Sequence, residues 1–145
     1  MVSRPPPPTR ADFKVWRRFA TRWRDNDSYG HVNNIIFYEW FDSAVNGWLV
    51  DRGLLDIAAS DPIALVAETR CSYFAPLAFP ETVEVGLTVA ELGLSSVRYR
   101  IGVFGEGGQS AAAAGEFVHV LVDRAGRTAV PIPDQWRRAL EEIRA

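Results

Sequence analysis

The spacing of apolar positions changes along this 145-residue chain, and each change marks an element. Phe19, Thr21 and Trp23 share one phase of a two-residue alternation while Ala20, Arg22 and Arg24 take the other, which predicts a first strand over Phe13 to Trp23. From Asn34 to about Asp51 the period lengthens. Ile35, Phe37, Tyr38, Phe41, Ala44, Val45, Trp48 and Leu49 recur at three- and four-residue steps and predict a helix. Ile36 and Trp40 widen that stripe until Glu39, Asp42, Ser43, Asn46 and Gly47 are all that breaks it, so the helix must be covered on most of its sides. Gly53 supplies the stop, and residues 54–62 form a linker.

The second half of the chain returns to strand periodicity. Ile63 to Phe74 predicts a long strand that Ala75-Pro76-Leu77-Ala78-Phe79-Pro80 ends. In Thr82 to Ala90, Val83, Val85, Leu87 and Val89 face one way while Thr82, Glu84, Gly86 and Thr88 face the other. Leu92-Gly93-Leu94 is a turn. Ser96 to Phe104 alternates again, with Val97, Tyr99, Ile101 and Val103 against Arg98 and Arg100. Gly105 to Gly108 is a hairpin turn, and Gln109 to Asp123 is the last long strand. Ala111 to Ala114 has helical propensity, but it lies between a glycine turn and Phe117-Val118-His119-Val120-Leu121-Val122, which favours strand. After Pro131 and Pro133, Asp134 is placed to cap a short charged helix reaching about Arg144.

The element order is strand, one long apolar helix, four strands joined by short turns, and a final helix. Short turns imply antiparallel neighbours, and curling the sheet around the helix is what hides it. The expected class is α+β: an antiparallel sheet of about five strands wrapped around one long central helix, with a short C-terminal helix. Pro5 to Pro8 favour an extended arm, so residues 1–12 are expected to be a disordered proline-rich tail and residues 13–145 a single domain.

Composition then excludes several classes of function. The net charge of -2 offers no general attraction to nucleic acid or to an anionic membrane. The single Cys71 allows no internal disulfide and fits a reducing compartment. No apolar run approaches the roughly 18 residues of a membrane span, and no apolar signal core precedes the prolines; a cytoplasmic location is expected.

Chemistry concentrates in Arg22-Trp23-Arg24-Asp25-Asn26-Asp27-Ser28-Tyr29-Gly30-His31-Val32-Asn33-Asn34, immediately before the long helix. A loop that empties into a helix start directs unpaired backbone N–H groups at whatever lies beside it. A carboxylate, Asp27, and an oxyanion-type donor set near Asn34 could therefore share one small volume. A carboxylate can attack an electrophilic carbonyl or take a proton from water. The bland reading of Asp27 is an Asx turn, and of Asp25 a loop-ordering carboxylate bound to backbone N–H groups or to Arg24. His31 could orient Asp27 or water, protonate a leaving group, or simply close the loop. Asn33 suits the helix cap. Ser95 and Ser96 could touch substrate or be ordinary strand-start residues. Tyr38, Phe41 and Trp48 are core candidates, one or two of which could line a substrate cavity. Arg70, Arg98 and Arg100 could meet phosphates or stay solvated. His119 reads as a strand residue with a satisfied hydrogen bond, and no ligand spacing links it to His31 as a metal pair.

The stretch Trp23 to Asn34, followed by Tyr38 and Phe41-Asp42, resembles the D-x-D-x-x-G-H-V-N-N loop and first helical turns of the hotdog-fold thioesterases. The similar branch is the one containing 4-hydroxybenzoyl-CoA thioesterase and the short acyl-CoA thioester hydrolases. Tyr73-Phe74-Ala75-Pro76-Leu77, Pro80 and Leu92-Gly93-Leu94-Ser95-Ser96 are similar to strand-end patterns of that family. The resemblance implies a helix wrapped by an antiparallel sheet, homodimers or homotetramers with sites at subunit interfaces, and hydrolysis of acyl thioesters of coenzyme A or acyl carrier protein. It implies no cofactor and no metal. It assigns Asp27 as nucleophile or general base, the backbone N–H at about Asn34 as carbonyl activator and His31 as an assisting group. Asn33, Tyr38, Ser95 and Ser96 are the expected substrate contacts. Tyr29 stands where some relatives carry Asn, and Asn34 where others carry His. The alternative function is a hotdog protein that binds acyl-CoA or acyl chains without hydrolysing them.

Overall fold

In the computed structural model, which describes residues 4–145, the predicted helix is α1, Asn34–Asp51. It ends one residue before Arg52, with Gly53 beyond the last turn. Around it run β1 (Val15–Ala20), β2 (Ile63–Tyr73), β3 (Thr82–Leu92), β4 (Ser96–Phe104) and β5 (Ala113–Val122), and α2 (Asp134–Glu142) closes the chain. All pairings are antiparallel, in the order β1-β3-β4-β5-β2. The hairpins β3-β4 and β4-β5 pair as their short turns require. β2 and β3 do not pair, although they follow one another. The chain between them crosses the end of the sheet, leaving β2 at one edge against β5 and β3 beside β1.

The alternation in β3 and β4 sets which face is buried. Val83, Val85, Leu87, Val89, Val97, Tyr99, Ile101 and Val103 are all buried on the face that receives α1. From α1, Phe37, Trp40, Phe41, Ala44, Val45, Trp48 and Leu49 close onto them. Burying each valine, leucine, isoleucine or phenylalanine among them contributes about 1.5–3 kcal/mol relative to its exposed state. The helix is covered on this face, not on most sides. Ile35, Glu39, Asp42, Ser43 and Val50 remain exposed in the chain, and Ile35 leaves the predicted stripe at 64% exposure.

Local readings at the strand ends shift. Trp23, expected in β1, lies in a one-turn 3-10 helix, Trp23–Asp25, and is 79% exposed. Pro133, not Asp134, is the N-cap of α2; Asp134 is the first helical residue, where its charge still suits the helix dipole.

The described part of the expected tail is anchored; residues 1–3 lie outside the described residues. Arg10–Asp12 forms a 3-10 turn, Thr9 pairs with Ser110, and the Pro8 carbonyl accepts from the Ala111 N–H. Phe13 then packs with Phe104 and Ala111 on the sheet face away from α1. It can do so because Gly86 and Gly102 leave room for its ring, where a Cβ would clash. At the far end of β3, Ile143 and Ala145 hydrogen-bond to Val89 and continue the edge that β1 covers as far as Val15–Leu87.

Candidate active site

The loop between β1 and α1 is built on Asp25. Its side chain is fully buried, accepts from the Arg22 N–H at 2.8 Å and pairs with the Arg22 guanidinium at 2.8 Å. Its carbonyl accepts from the Asn33 N–H at 2.8 Å, which ties the start of the loop to the start of α1. This is the loop-ordering role, with Arg22 as partner in place of Arg24. The three-residue spacing of Arg22 and Asp25 was the signal for it. One step on, Asn26 Oδ1 accepts from the Phe79 N–H, Asn26 pairs with Val32, and the Val32 N–H donates to Leu77 at 2.7 Å.

Residues 27–31 form a tight turn on this base. The Asp27 N–H donates to the His31 carbonyl at 2.9 Å, and the Gly30 N–H donates to the Asp27 carbonyl at 3.0 Å. Gly30 takes a φ of +82°, a left-handed conformation that costs glycine little. The backbone thus sets Asp27 and His31 side by side. Asp27 Oδ1 accepts from the Tyr29 N–H at 2.8 Å, so the Asx turn is present. Its second oxygen has no protein partner among the described residues. Asp27 is half-buried; His31 and Tyr29 are exposed.

At the helix start Asn33 is the cap, as its position predicted: Oδ1 accepts from the Ile35 N–H at 3.1 Å. The Ile36 N–H bonds to the Asn33 carbonyl. Among the described residues the Asn34 N–H has no acceptor, so it is the donor left at the positive end of the helix. The Asn34 carbonyl accepts from the Tyr73 hydroxyl at 3.1 Å, and the Tyr73 ring meets Phe37 edge-on at 5.1 Å. Tyr73 therefore braces the first turn of α1 from the end of β2, a role that no local pattern announces because the partners are 39 positions apart. Burial, with Cys71 and Tyr38 beside it, raises the Tyr73 phenol above its ordinary range. Burial likewise pushes the Cys71 thiol up to about 11, which keeps it protonated at neutral pH.

The remaining expected site residues divide by location. Asn33 belongs to the loop-helix junction. Tyr38 is half-buried one turn further along α1, its ring 6.1 Å from that of Phe41. Ser95 and Ser96 do not join them within the chain. The Ser95 carbonyl accepts from the Leu121 N–H and the Ser96 carbonyl from the Gly93 N–H, at the β3-β4 turn. β3 begins opposite Ala20, beside the loop, and its 11 residues, about 35 Å at strand rise, separate the serines from it. His119 is buried as a strand residue, but its Nδ1 and the Tyr99 hydroxyl lack hydrogen-bond partners among the described residues, contrary to the satisfied bond expected. Among the described residues no three ligating side chains gather as a cation site.

A five-stranded antiparallel sheet packed on one helix of 18 residues is a hotdog fold, and it is the family match that assigns it the hydrolysis of thioesters. Residues 21–140 match the thioesterase-like superfamily, and the chain belongs to it. The chain is similar to the PA5185 protein of Pseudomonas aeruginosa strain PAO1: 48% identity over 97% of this chain and 98% of that one, with a TM-score of 0.93. It is also similar to a thioesterase of Thermus thermophilus solved with coenzyme A and zinc: 30% identity, 91% and 95% coverage, TM-score 0.77. A 1,4-dihydroxy-2-naphthoyl-CoA thioesterase of Synechocystis shares the fold at 19% identity, with 88% and 96% coverage and a TM-score of 0.79. No curated protein matches the sequence. Family membership favours hydrolysis over acyl binding without turnover. No described helix is long and apolar enough to cross a membrane.

Proposed function

We propose that the protein hydrolyses an acyl thioester of coenzyme A to the free acid and coenzyme A. The observation that carries this reading is the pair of free groups at the entry to α1: among the described residues the Asn34 N–H has no acceptor, and in the turn that precedes it one oxygen of Asp27 has no protein partner. The Thermus relative's complex with coenzyme A supports the choice of thiol.

In this mechanism the thioester oxygen lies against the Asn34 N–H. Asp27 takes a proton from water as the water oxygen bonds to the carbonyl carbon. The oxyanion is held by the helix-start donor, the C–S bond breaks, and the thiolate recovers the proton. If Asp27 instead attacks directly, an acyl-carboxylate anhydride forms, thiolate leaves, and water cleaves the anhydride. A single turnover in 18-oxygen water tests the second route, because label in Asp27 requires the anhydride with water attacking its Asp27 carbonyl carbon. His31, next to Asp27 and exposed, assists by proton transfer to the leaving sulfur. The wider face of α1 and the unpaired edge of β2, with Val66 exposed, support a homodimer or homotetramer; light scattering in solution tests that state. In such an assembly Ser95 and Ser96 could contact substrate only at a site to which a second copy contributes.

The test is release of free thiol from a panel of aliphatic and aromatic acyl-CoA thioesters and acyl carrier protein thioesters. Turnover of one acyl-CoA class is expected. Turnover confined to carrier-protein substrates, or none at all, would overturn the proposal.

A further inference from the structure

The sheet face turned away from α1 carries charge that the proposed reaction does not use. Thr88, Arg100, Glu116 and Arg70 occupy facing positions across β3, β4, β5 and β2. Glu116 is shared: Arg98 reaches it at 2.6 Å and Arg70 at 2.8 Å. Burial alone would raise the Glu116 carboxyl, but the hydrogen bonds from Arg98 and Arg70 outweigh it and hold the group below its usual range. Arg98 is further balanced by Glu91 at 3.5 Å and Glu68 at 3.8 Å. Arg100 lies opposite Glu116 yet pairs with no carboxylate among the described residues.

The N-terminal arm turns this face into a groove. Arg4 donates to the Tyr73 carbonyl at 2.6 Å and stacks 4.5 Å above the Phe74 ring, and so holds the prolines alongside β2. Between the prolines and the sheet is a groove of about 460 Å³, within the size range of small-molecule sites. Arg4, Arg70 and Arg100 line it together with one carboxylate, Glu116, over a floor of Ala114 and Gly115. The local charge is about +2 in a chain whose net charge is -2, so a basic composition does not explain it.

We propose that this groove is a binding site for a phosphate dianion, carried by a phosphorylated ligand or free in solution. Guanidiniums present forked donor pairs that match phosphate oxygens, and two uncompensated ones match a dianion in charge. Arg100 is the principal donor and Arg4 closes the groove from the arm. Small residues in the floor let a phosphate approach the sheet. The site rests on the fold and the charge pattern alone, and it lies on the sheet face away from α1, with none of its lining residues in the turn that holds Asp27. It can therefore fail while the hydrolytic reading holds, or hold while that reading fails.

The test is titration of the full chain with inorganic phosphate, read by calorimetry, with chloride replacing phosphate at equal ionic strength in the control. Saturable binding in the millimolar range or tighter is expected, weakened about tenfold or more in Arg100→Gln and in Arg4→Gln, a loss of about 1.4 kcal/mol. Arg52→Gln, which removes one charge elsewhere on the surface, should bind as wild type does. Circular dichroism of each variant confirms folding, and Arg100→Lys adds a variant that keeps the charge and loses the fork. Equal weakening in Arg52→Gln, undiminished binding in Arg100→Gln, or no saturable binding would overturn the proposal. Competition by adenosine 3′,5′-bisphosphate, together with a KM for acyl-CoA that rises in Arg100→Gln at unchanged kcat, would assign the site to the nucleotide of coenzyme A. Phosphate binding with neither effect would assign it to free phosphate.

Discussion

An asparagine at position 27 would still accept the hydrogen bond from the Tyr29 N–H, because its Oδ1 stands where the carboxylate oxygen stood. It would lack the charge. Asp27→Asn therefore keeps the turn and removes the proposed base, so the structural role and the proposed catalytic role come apart in one protein. Thiol release by Asp27→Asn should fall about 10²-fold or more at an unchanged thermal midpoint. Activity equal to wild type would remove Asp27 from the mechanism. Asn34→Ala is the complementary change. The donor proposed there is backbone and survives the substitution, so kcat should stay within a few-fold, against the roughly 10²–10³-fold that loss of an oxyanion donor costs. A loss of that larger size in Asn34→Ala would move the role to the side chain.

The loop and the helix act as one element. Asp25 holds the loop to Arg22 and to the Asn33 N–H, Asn33 caps α1, and Tyr73 braces its first turn from β2. Asn33→Ala leaves the Ile35 N–H without its side-chain acceptor and should lower stability by about 1 kcal/mol, seen as a reduced urea midpoint at unchanged slope. Tyr73→Phe keeps the ring against Phe37 and loses the bond to the Asn34 carbonyl. It should lower kcat more than it changes KM, since what it loosens is the position of the donor. A change confined to KM would place Tyr73 in binding instead.

For the whole molecule, acid is the informative variable. His119 is buried among Tyr99 and Phe117, and desolvation pushes its pKa down to about 4 from an ordinary value near 6.5. The folded state therefore holds the neutral imidazole where the unfolded chain would take a proton. The associated stability is intact above about pH 6.5 and is lost progressively as pH falls toward 4, by up to about 3 kcal/mol. Glu116, held below its usual range, adds to the same trend at lower pH. Urea midpoints measured from pH 7.5 to 4.5 should fall in wild type and fall less steeply in His119→Phe. Parallel curves for the two proteins would show that this histidine is not the titrating group.

Most of the element order was legible because it is local. The α1 boundaries, the Asn33 cap, the strand phases of β3 and β4 and the carboxylate-rich turn before the helix each depend on neighbours a few positions apart, and side-chain period and hydrogen bonding over that distance are written in the residues themselves. Long-range pairing carries no such signature. Nothing within β2 says that it pairs with β5 rather than β3. Nothing in Ser95 and Ser96 says that they lie a strand's length from Asp27. The proline arm gives no local sign of the glycine-floored face that Phe13 occupies. The amino-acid order by itself determined the elements and the chemical content of the turn before α1. The tertiary structure alone decided which distant groups meet: Tyr73 with Asn34, Arg4 with Phe74, and His119 with Tyr99 in a core where His119 Nδ1 and the Tyr99 hydroxyl have no hydrogen-bond partner among the described residues. The reason is that backbone periodicity is encoded over a few residues, whereas the free energy of burying one face against another is shared by residues far apart in the chain.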